Sequence, residues 1–190
     1  MHSQLKGITF MEVIQQIDLS ILLFIQEHLR VAWMNGFWEF ITRFGDGGIF
    51  WIILTLALMI PKKTRKAGIV AACSLILGFL ITNVTLKPLV DRVRPYNYSD
   101  AIIPLGRIPV ESSFPSGHTC ASFACALIYV RVLPKKYGIP LVVLASLIAL
   151  SRLYLCVHFP TDVIGGFLVA LFSSMVVYAC HQRLEKKKVK

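Results

Sequence analysis

The sequence predicts an all-α protein, a polytopic membrane helix bundle of five to six spans with an N-terminal amphipathic helix. Three observations support this fold class. Of 190 residues, 56% are hydrophobic and only 16% are charged, whereas soluble domains carry about a quarter charged residues. Five apolar runs reach or approach the ~20 residues that cross a bilayer. Basic residues cluster between these runs and at the C-terminus, as cytoplasmic segments beside membrane spans do.

The first segment, residues 1–44, is predicted to be an amphipathic or interfacial unit. Isoleucine and phenylalanine occupy one helical face at 14, 17, 21, 24 and 25, and the other face carries Glu12, Gln15, Asp18, Gln26 and Arg30. Such a helix either lies in the membrane interface or packs into the bundle as a sixth crossing. Aromatic residues at 33, 37, 38, 40 and 44 resemble interfacial anchors.

The next segment, residues 45–182, is predicted to be the membrane domain, opened by a turn at "GDGG" (45–48). Its apolar runs cover 47–60 with the preceding aromatics, 67–86, 117–133, 138–156 and 163–182. Gly165 and Gly166 in the last run allow close approach of helices. Residues 183–190 form a basic tail.

The charge distribution predicts the orientation. If each run crosses once, "PKKTRK", "RVLPKK" and the tail share one side, which the positive-inside rule makes cytoplasmic. The outer side then holds the turn near Asp46, the loop 87–116 and the turn 157–162. We therefore expect a multi-pass cell-membrane protein with its functional residues outside and its C-terminus in the cytoplasm. The net charge is +10, and the basic residues responsible for it lie beside the apolar runs. The sequence contains no recognisable nucleic-acid-binding module, so no nucleic-acid partner is expected.

Three outer segments suggest phosphate chemistry: "KPLVDRVRP" (87–95), "PSGH" (115–118) and "SRLYLCVHFPTD" (151–162). Lys87, Arg94 and Arg152 would surround one phosphoryl group, because guanidinium donors match phosphate oxygens. Ser116 adds a hydroxyl. Gly117 lies at a helix start, where backbone N–H groups favour an anion.

Two histidines complete the set. His118 and His158 suit acid or base work because imidazole changes charge near neutral pH. Asp162 follows His158 by four residues, and an acidic partner fixes an imidazole tautomer and raises its nucleophilicity.

Each residue alone has a simpler explanation. A single histidine is more often packed or interfacial, Lys87 would snorkel to the interface, and Asp162 would belong to a helix N-terminus. Arg92 and Arg107 fit span ends or lipid head groups, and Asp91 and Glu111 would offset nearby basic charge. The joint occurrence on one face favours function, since the positive-inside rule disfavours cations there.

With these residues in place, the chain resembles the type 2 phosphatidic acid phosphatase superfamily. That signature is Lys, six residues, Arg-Pro; then Pro-Ser-Gly-His; then Ser-Arg, five residues, His, three residues, Asp. Here it occurs as Lys87 to Arg94-Pro95, then 115–118, then Ser151-Arg152 to His158 and Asp162, with every spacing kept. The motifs span residues 87–162, and the helix pattern extends the resemblance over 45–182.

The resemblance implies a phosphatase that needs no metal or cofactor and forms a covalent phosphohistidine. His158 would attack phosphorus, Asp162 would orient it, and His118 would protonate the leaving oxygen and later activate water. The phosphoryl oxygens would be held by Lys87, Arg94, Arg152, Ser116 and the Gly117 amide. The substrate would be a lipid phosphate in the bilayer. An outward-facing site favours undecaprenyl pyrophosphate, hydrolysed to undecaprenyl phosphate.

Several alternatives stay open. Within the enzyme class, the chain would be a phosphatidylglycerophosphate phosphatase or a broad lipid phosphate phosphatase. A vanadium haloperoxidase shares the motifs, but the membrane-length runs argue against it. A non-enzymatic lipid-phosphate binder or carrier would need the cations but not the His158–Asp162 pair. The loop 96–113 is expected to help select the substrate, and the sequence does not predict the oligomeric state.

Overall fold

The computed structural model describes residues 10–188, and every regular element in that range is helical. The helices are α1 Phe10–Phe24, α2 Ala32–Arg43, α3 Ile49–Met59, α4 Arg65–Phe79, α5 Lys87–Val90, α6 Pro95–Tyr98, α7 Gly117–Val132, α8 Lys135–Tyr154 and α9 Pro160–Lys188. Wider π-helical turns continue α1 through Ile25–Leu29 and join α4 to α5 through Leu80–Leu86. The all-α prediction is confirmed.

Four stretches within this range are long and apolar enough to cross a membrane. They are Ala32–Met59, Arg65–Tyr98, Lys135–Tyr154 and Pro160–Lys187. The third predicted run forms α7, which has 16 residues and is shorter than the ~20 residues of a typical span. The number of crossings, five to six, therefore stays a prediction.

Helix α7 lies at the centre of the bundle and packs against α4, α8 and α9. Its buried side chains are mostly small, and Ala124, Cys125 and Ala126 are fully enclosed. Two interhelical hydrogen bonds add to this packing: Ser74 Oγ donates to the Ala124 carbonyl at 2.8 Å, and Thr55 Oγ1 lies 2.6 Å from the Tyr129 hydroxyl. Helices surrounded by lipid associate through such close contacts and hydrogen bonds, since lipid tails are as apolar as leucine.

Glycines in α9 bring that helix against the start of α7. A Cβ atom at Gly166 would lie 2.5 Å from the Ser116 carbonyl oxygen, and one at Gly165 would lie 2.5 Å from the Phe114 ring. Both distances are shorter than an ordinary carbon contact, so a methyl group would require the Ser116 backbone or the Phe114 ring to shift. The expected close approach at Gly165 and Gly166 is confirmed, and it holds the "PSGH" segment against the first turns of α9.

Helix α1 turns its polar face toward the protein and its apolar face outward. Asp18 is 1% exposed, whereas Ile17 and Phe24 are about half exposed. Gln26 hydrogen bonds to the backbone of residues 101 and 103, and Arg30 donates to the carbonyls of Ile103 and Tyr154. The prediction of an amphipathic helix is confirmed, and the polar face of this helix packs against the bundle. The division of the chain at residues 44 and 182, and the depth of α1 in the membrane, stay predictions.

We predict that Gly166→Ala destabilises the protein, because the new methyl group would overlap the Ser116 carbonyl. Overpacking of this kind costs about 1–3 kcal/mol, so thermal unfolding in detergent should begin at a lower temperature. Gly36→Ala is the matched control, since its Cβ would meet no atom within 4 Å. Equal melting temperatures for the two variants would contradict the packing argument.

Candidate active site

A cavity of about 360 Å³ lies where α4, through its π-helical extension, and α8 end and α7 begins. Six of the eight sequence-predicted site residues line it: Lys87, Arg94, Gly117, His118, Arg152 and His158. Its remaining wall includes apolar side chains of α3 and α4, namely Ile52, Leu75, Ile76 and Phe79. The cavity therefore joins a cationic end to an apolar arm.

Two arginines in this cavity are buried without a carboxylate partner. Arg94 is 4% exposed and Arg152 is 3% exposed, and among the described residues no carboxylate lies within 4.0 Å of either guanidinium. Arg152 donates to Thr42 Oγ1 at 2.5 Å, while its Nε has no hydrogen-bond partner. Because a buried charge without a counter-charge is costly, the cavity is suited to an anion.

Arg94 also hydrogen bonds to two loops that border the cavity, the loop that contains Glu111 and the loop that contains Val157. It donates to the Glu111 carbonyl at 2.7 Å and to the Val157 carbonyl at 2.8 Å. Lys87, the third predicted cation, lies 3.7 Å from the exposed Glu111 carboxylate. The loop 99–113 thus borders the cationic end directly.

The start of α7 presents free backbone donors. The N–H groups of Gly117 and His118 have no acceptor within residues 10–188. They lie at the N-terminus of α7, which is the positive end of the helix dipole. Ser116 does not line the cavity, although the sequence analysis expected its hydroxyl to face phosphate. It is buried, and its Oγ accepts from Thr119 N at 3.4 Å and Thr119 Oγ1 at 3.0 Å. In this structure Ser116 acts as the N-cap of α7.

The surroundings of His158 define its tautomer. Arg94 Nη1 lies 3.2 Å from His158 Nε2, and a guanidinium can only donate. Nε2 therefore carries the lone pair, and Nδ1 carries the proton. Nδ1 lies 3.4 Å from Asp162 Oδ2. Burial lowers the pKa of His158 to about 3, outweighing the opposite effect of Asp162, so the ring is neutral at pH 7.

Asp162 is fully buried, and both of its carboxylate oxygens accept hydrogen bonds. Its Oδ2 accepts from Phe159 N at 2.8 Å and from the Ser113 hydroxyl, and its Oδ1 accepts from Arg92 Nη1 at 2.6 Å. The contact with Phe159 N is a capping-box bond across the start of α9. Asp162 therefore has the helix-terminal role considered in the sequence analysis and also contacts His158.

His118 has a carboxylate partner of its own. Its Nε2 lies 2.9 Å from Asp46 Oδ1. Asp46 belongs to the predicted "GDGG" turn, where Gly47 and Gly48 adopt φ of 57° and 67°. Gly45 packs closely against the imidazole, since a Cβ atom at Gly45 would be 2.5 Å from His118 Cδ2. The turn lies at the end of the bundle predicted from the sequence, where Asp46 has a contact that the sequence does not predict.

Arg92 is the clearest residue that sequence reasoning missed. It was explained as a span-end or head-group residue, but its guanidinium forms ion pairs with Asp18 and Asp162 at 2.7 and 2.6 Å. One feature of the sequence could have indicated this role. The polar face of α1 carries Asp18, a carboxylate that would need a cationic partner if the helix packed against the bundle. No group of three or more His, Cys, Asp or Glu side chains within residues 10–188 is arranged to hold a metal ion.

Comparison with known proteins assigns the chain to a family. Residues 67–186 match the model of the PAP2 superfamily. The chain belongs to the PAP2 superfamily. This PAP2 protein is 31% identical over 163 residues to an undecaprenyl-diphosphatase of Sulfolobus acidocaldarius, covering 85% of this chain and 78% of the relative. It is 30% identical over 176 residues to phosphatidylglycerophosphatase B of Bacillus subtilis, covering 85% and 82%.

A solved structure supports the same assignment. The fold is similar to that of a transmembrane PAP2-type phosphatidylglycerolphosphate phosphatase from Bacillus subtilis, with a TM-score of 0.73 and 29% identity over 90% of this chain and 87% of the other. With its membrane-length apolar helices, this PAP2 protein is a membrane protein. The recognition made from the three motifs is confirmed.

We predict that Glu111→Gln strengthens the binding of inorganic phosphate or vanadate. The substitution removes a negative charge 3.7 Å from Lys87, and removing a charge whose own side chain is exposed is expected to change affinity by about two- to fivefold. Asp100→Asn is the control, because it removes a charge from the same loop outside the cavity. Binding can be measured by ligand-dependent thermal shift. Weaker binding in Glu111→Gln would show that the carboxylate supports the site instead.

Proposed function

We propose that this PAP2 protein is a lipid phosphatase that hydrolyses undecaprenyl pyrophosphate to undecaprenyl phosphate through a phosphohistidine. One observation carries the proposal: Arg94 and Arg152, buried and without a carboxylate partner among residues 10–188, share a cavity with a neutral His158 and with an apolar arm. The arginines fit a phosphoryl group, the histidine fits nucleophilic attack, and the arm fits a hydrocarbon chain.

The cations would hold the phosphoryl group before and during the reaction. Arg94, Arg152 and Lys87 neutralise its oxygens, and the free amides of Gly117 and His118 add donors at the α7 start. Such preorganised donors stabilise the charge that develops in the transition state. The sequence predicts a direct contact between the Ser116 hydroxyl and phosphate; we propose instead that Ser116 acts indirectly, by capping α7.

The two histidines would divide the chemistry. His158 Nε2 attacks phosphorus, the bond from phosphorus to the leaving oxygen breaks, and His118 donates a proton to that oxygen. Asp162 stabilises the positive charge that forms on His158 through Nδ1–H. His118 then takes a proton from water, whose oxygen attacks phosphorus and breaks the phosphorus–nitrogen bond. Asp46, 2.9 Å from His118 Nε2, stabilises the His118 imidazolium that donates the first proton and that forms again when water is deprotonated.

The choice of lipid rests on orientation and on the relatives. The basic segments 62–66, 131–136 and 183–188 favour a cytoplasmic location for the end opposite the cavity, which supports our proposal that the cavity faces outside. An outward-facing phosphatase can recycle the undecaprenyl carrier, and similarity to the Sulfolobus undecaprenyl-diphosphatase supports this substrate. Similarity to phosphatidylglycerophosphatase B favours phosphatidylglycerophosphate as the second candidate.

We predict that His158→Ala abolishes turnover while anion binding survives. The variant removes the nucleophile but leaves Arg94, Arg152 and Lys87 in place. Purified protein in detergent, with chelator present, should release phosphate from undecaprenyl pyrophosphate, and rapid acid-sensitive labelling of His158 should be detectable with a ³²P-labelled substrate. Loss of wild-type activity on removal of divalent metal, or turnover by His158→Ala, would contradict the mechanism.

A substrate panel tests the lipid assignment. Undecaprenyl pyrophosphate, phosphatidylglycerophosphate and phosphatidic acid should be compared at equal mole fraction in mixed micelles. We expect the highest kcat/KM for undecaprenyl pyrophosphate. A preference for phosphatidylglycerophosphate would make the second candidate the function, and binding of all three without phosphate release would indicate a carrier.

A further inference from the structure

Polar contacts connect helix α1 with His158, the proposed nucleophile, by way of Arg92 and Asp162. Asp18 Oδ2 lies 2.7 Å from Arg92 Nη2, and Arg92 Nη1 lies 2.6 Å from Asp162 Oδ1. The other oxygen of Asp162 lies 3.4 Å from His158 Nδ1. The match to the PAP2 model covers residues 67–186, so Asp18 lies outside it, and Arg92 lies between the Lys87 and Arg94 motif positions.

We propose that Asp18 and Arg92 are positioning residues that hold Asp162 in the orientation required by His158. The inference rests on the proposed function of His158 as nucleophile. It makes α1 a component of the catalytic unit, in addition to its role in packing on the bundle.

The geometry explains how Arg92 would do this. A carboxylate can rotate about its bond to Cβ, and Arg92 holds one of its oxygens, Oδ1, from a single direction. Oδ2 is then directed to the donors on the other side, which are Phe159 N, the Ser113 hydroxyl and His158 Nδ1. Arg92 itself is restrained, because its guanidinium carbon lies 4.1 Å from the centre of the Phe159 ring. Planar guanidinium donors bridge two acceptors in a way that an ammonium group does not.

Asp18 has a second function at the start of α9. Its Oδ1 accepts from Thr161 N at 3.1 Å, and its Oδ2 accepts from the Thr161 hydroxyl. The first amides of a helix lack partners within the helix, and a carboxylate there is favourable. Thr161 precedes Asp162 directly, so Asp18 fixes the backbone that carries Asp162 and also fixes the arginine that orients its side chain.

The packing of α1 is consistent with a fixed geometry. Gln15 Oε1 accepts from Arg92 Nη2 at 2.5 Å, and Leu19 and Leu22 pack with Phe159 and Cys156. Residues 15, 18, 19 and 22 follow one helical face. This face contacts the segment that joins His158 to α9.

The test compares Asp18→Asn, Arg92→Gln and Arg92→Lys with Glu27→Gln, a control that removes an exposed charge from the π-helical end of α1. We expect kcat to fall about tenfold in Asp18→Asn and about a hundredfold in Arg92→Gln, as for other groups that orient a reacting side chain. KM and vanadate affinity should stay within about twofold, because the anion is held by other residues. Arg92→Lys should recover part of kcat, and Glu27→Gln should match wild type.

The double variant Asp18→Asn with Arg92→Gln provides a second measurement. If the two residues act as one unit, its kcat should equal that of Arg92→Gln alone. Assays use whichever panel lipid the wild type hydrolyses fastest, with the folded fraction measured by thermal unfolding. A loss of kcat that only follows the folded fraction, or a parallel loss of vanadate binding, would overturn the positioning role. An inactive wild type, or an active His158→Ala, would overturn the proposed function itself and this role with it.

Discussion

The cost of burying a positive charge without a counter-charge determines how this end of the bundle is built. Arg92, Arg94 and Arg152 lie there, and their surroundings differ. Arg92 is neutralised by Asp18 and Asp162, so it needs no further anion. Within residues 10–188, the hydrogen-bond partners of Arg94 and Arg152 are carbonyls, a hydroxyl and a histidine. This difference agrees with the two roles that we propose, in which Arg92 positions Asp162 and the other two guanidiniums bind phosphate.

Helix ends supply the rest of the site. In a bundle surrounded by lipid, the backbone groups of a helix interior are already paired, and free donors occur only at its first turn. The starts of α7 and α9 meet here because Gly165 and Gly166 let α9 approach residues 114–116. The backbone bond from Ser116 N to the Asp162 carbonyl, 3.0 Å long, locks the two ends together. The close approach at these two glycines therefore brings the backbone donors of α7 near the segment that carries His158 and leads into α9.

Much of this arrangement could be predicted from the sequence, because apolar runs indicate helices and the three motifs have fixed internal spacing. Six of the eight proposed residues line one cavity. Ser116 and Asp162 do not line the cavity, because their side chains bond to backbone N–H groups at helix starts. Ser116 is the N-cap of α7, and Asp162 forms the capping-box bond of α9. The partnership of Asp18 with Arg92 links residues 74 positions apart, and no local pattern encodes it. Periodicity predicted both faces of α1 but not which one contacts protein, because in a bilayer the apolar face can remain outside.

The apolar arm of the cavity has a consequence for enzymology. Ile52, Ile76 and Phe79 line it and are also 42%, 59% and 53% exposed, so the arm lies on the flank of the bundle where acyl chains would touch it. Under the proposed function, a lipid would reach the site by lateral diffusion and would not leave its leaflet. Its relevant concentration is then a surface density, and dilution with inert detergent or lipid should slow the reaction even when the bulk amount of substrate is unchanged.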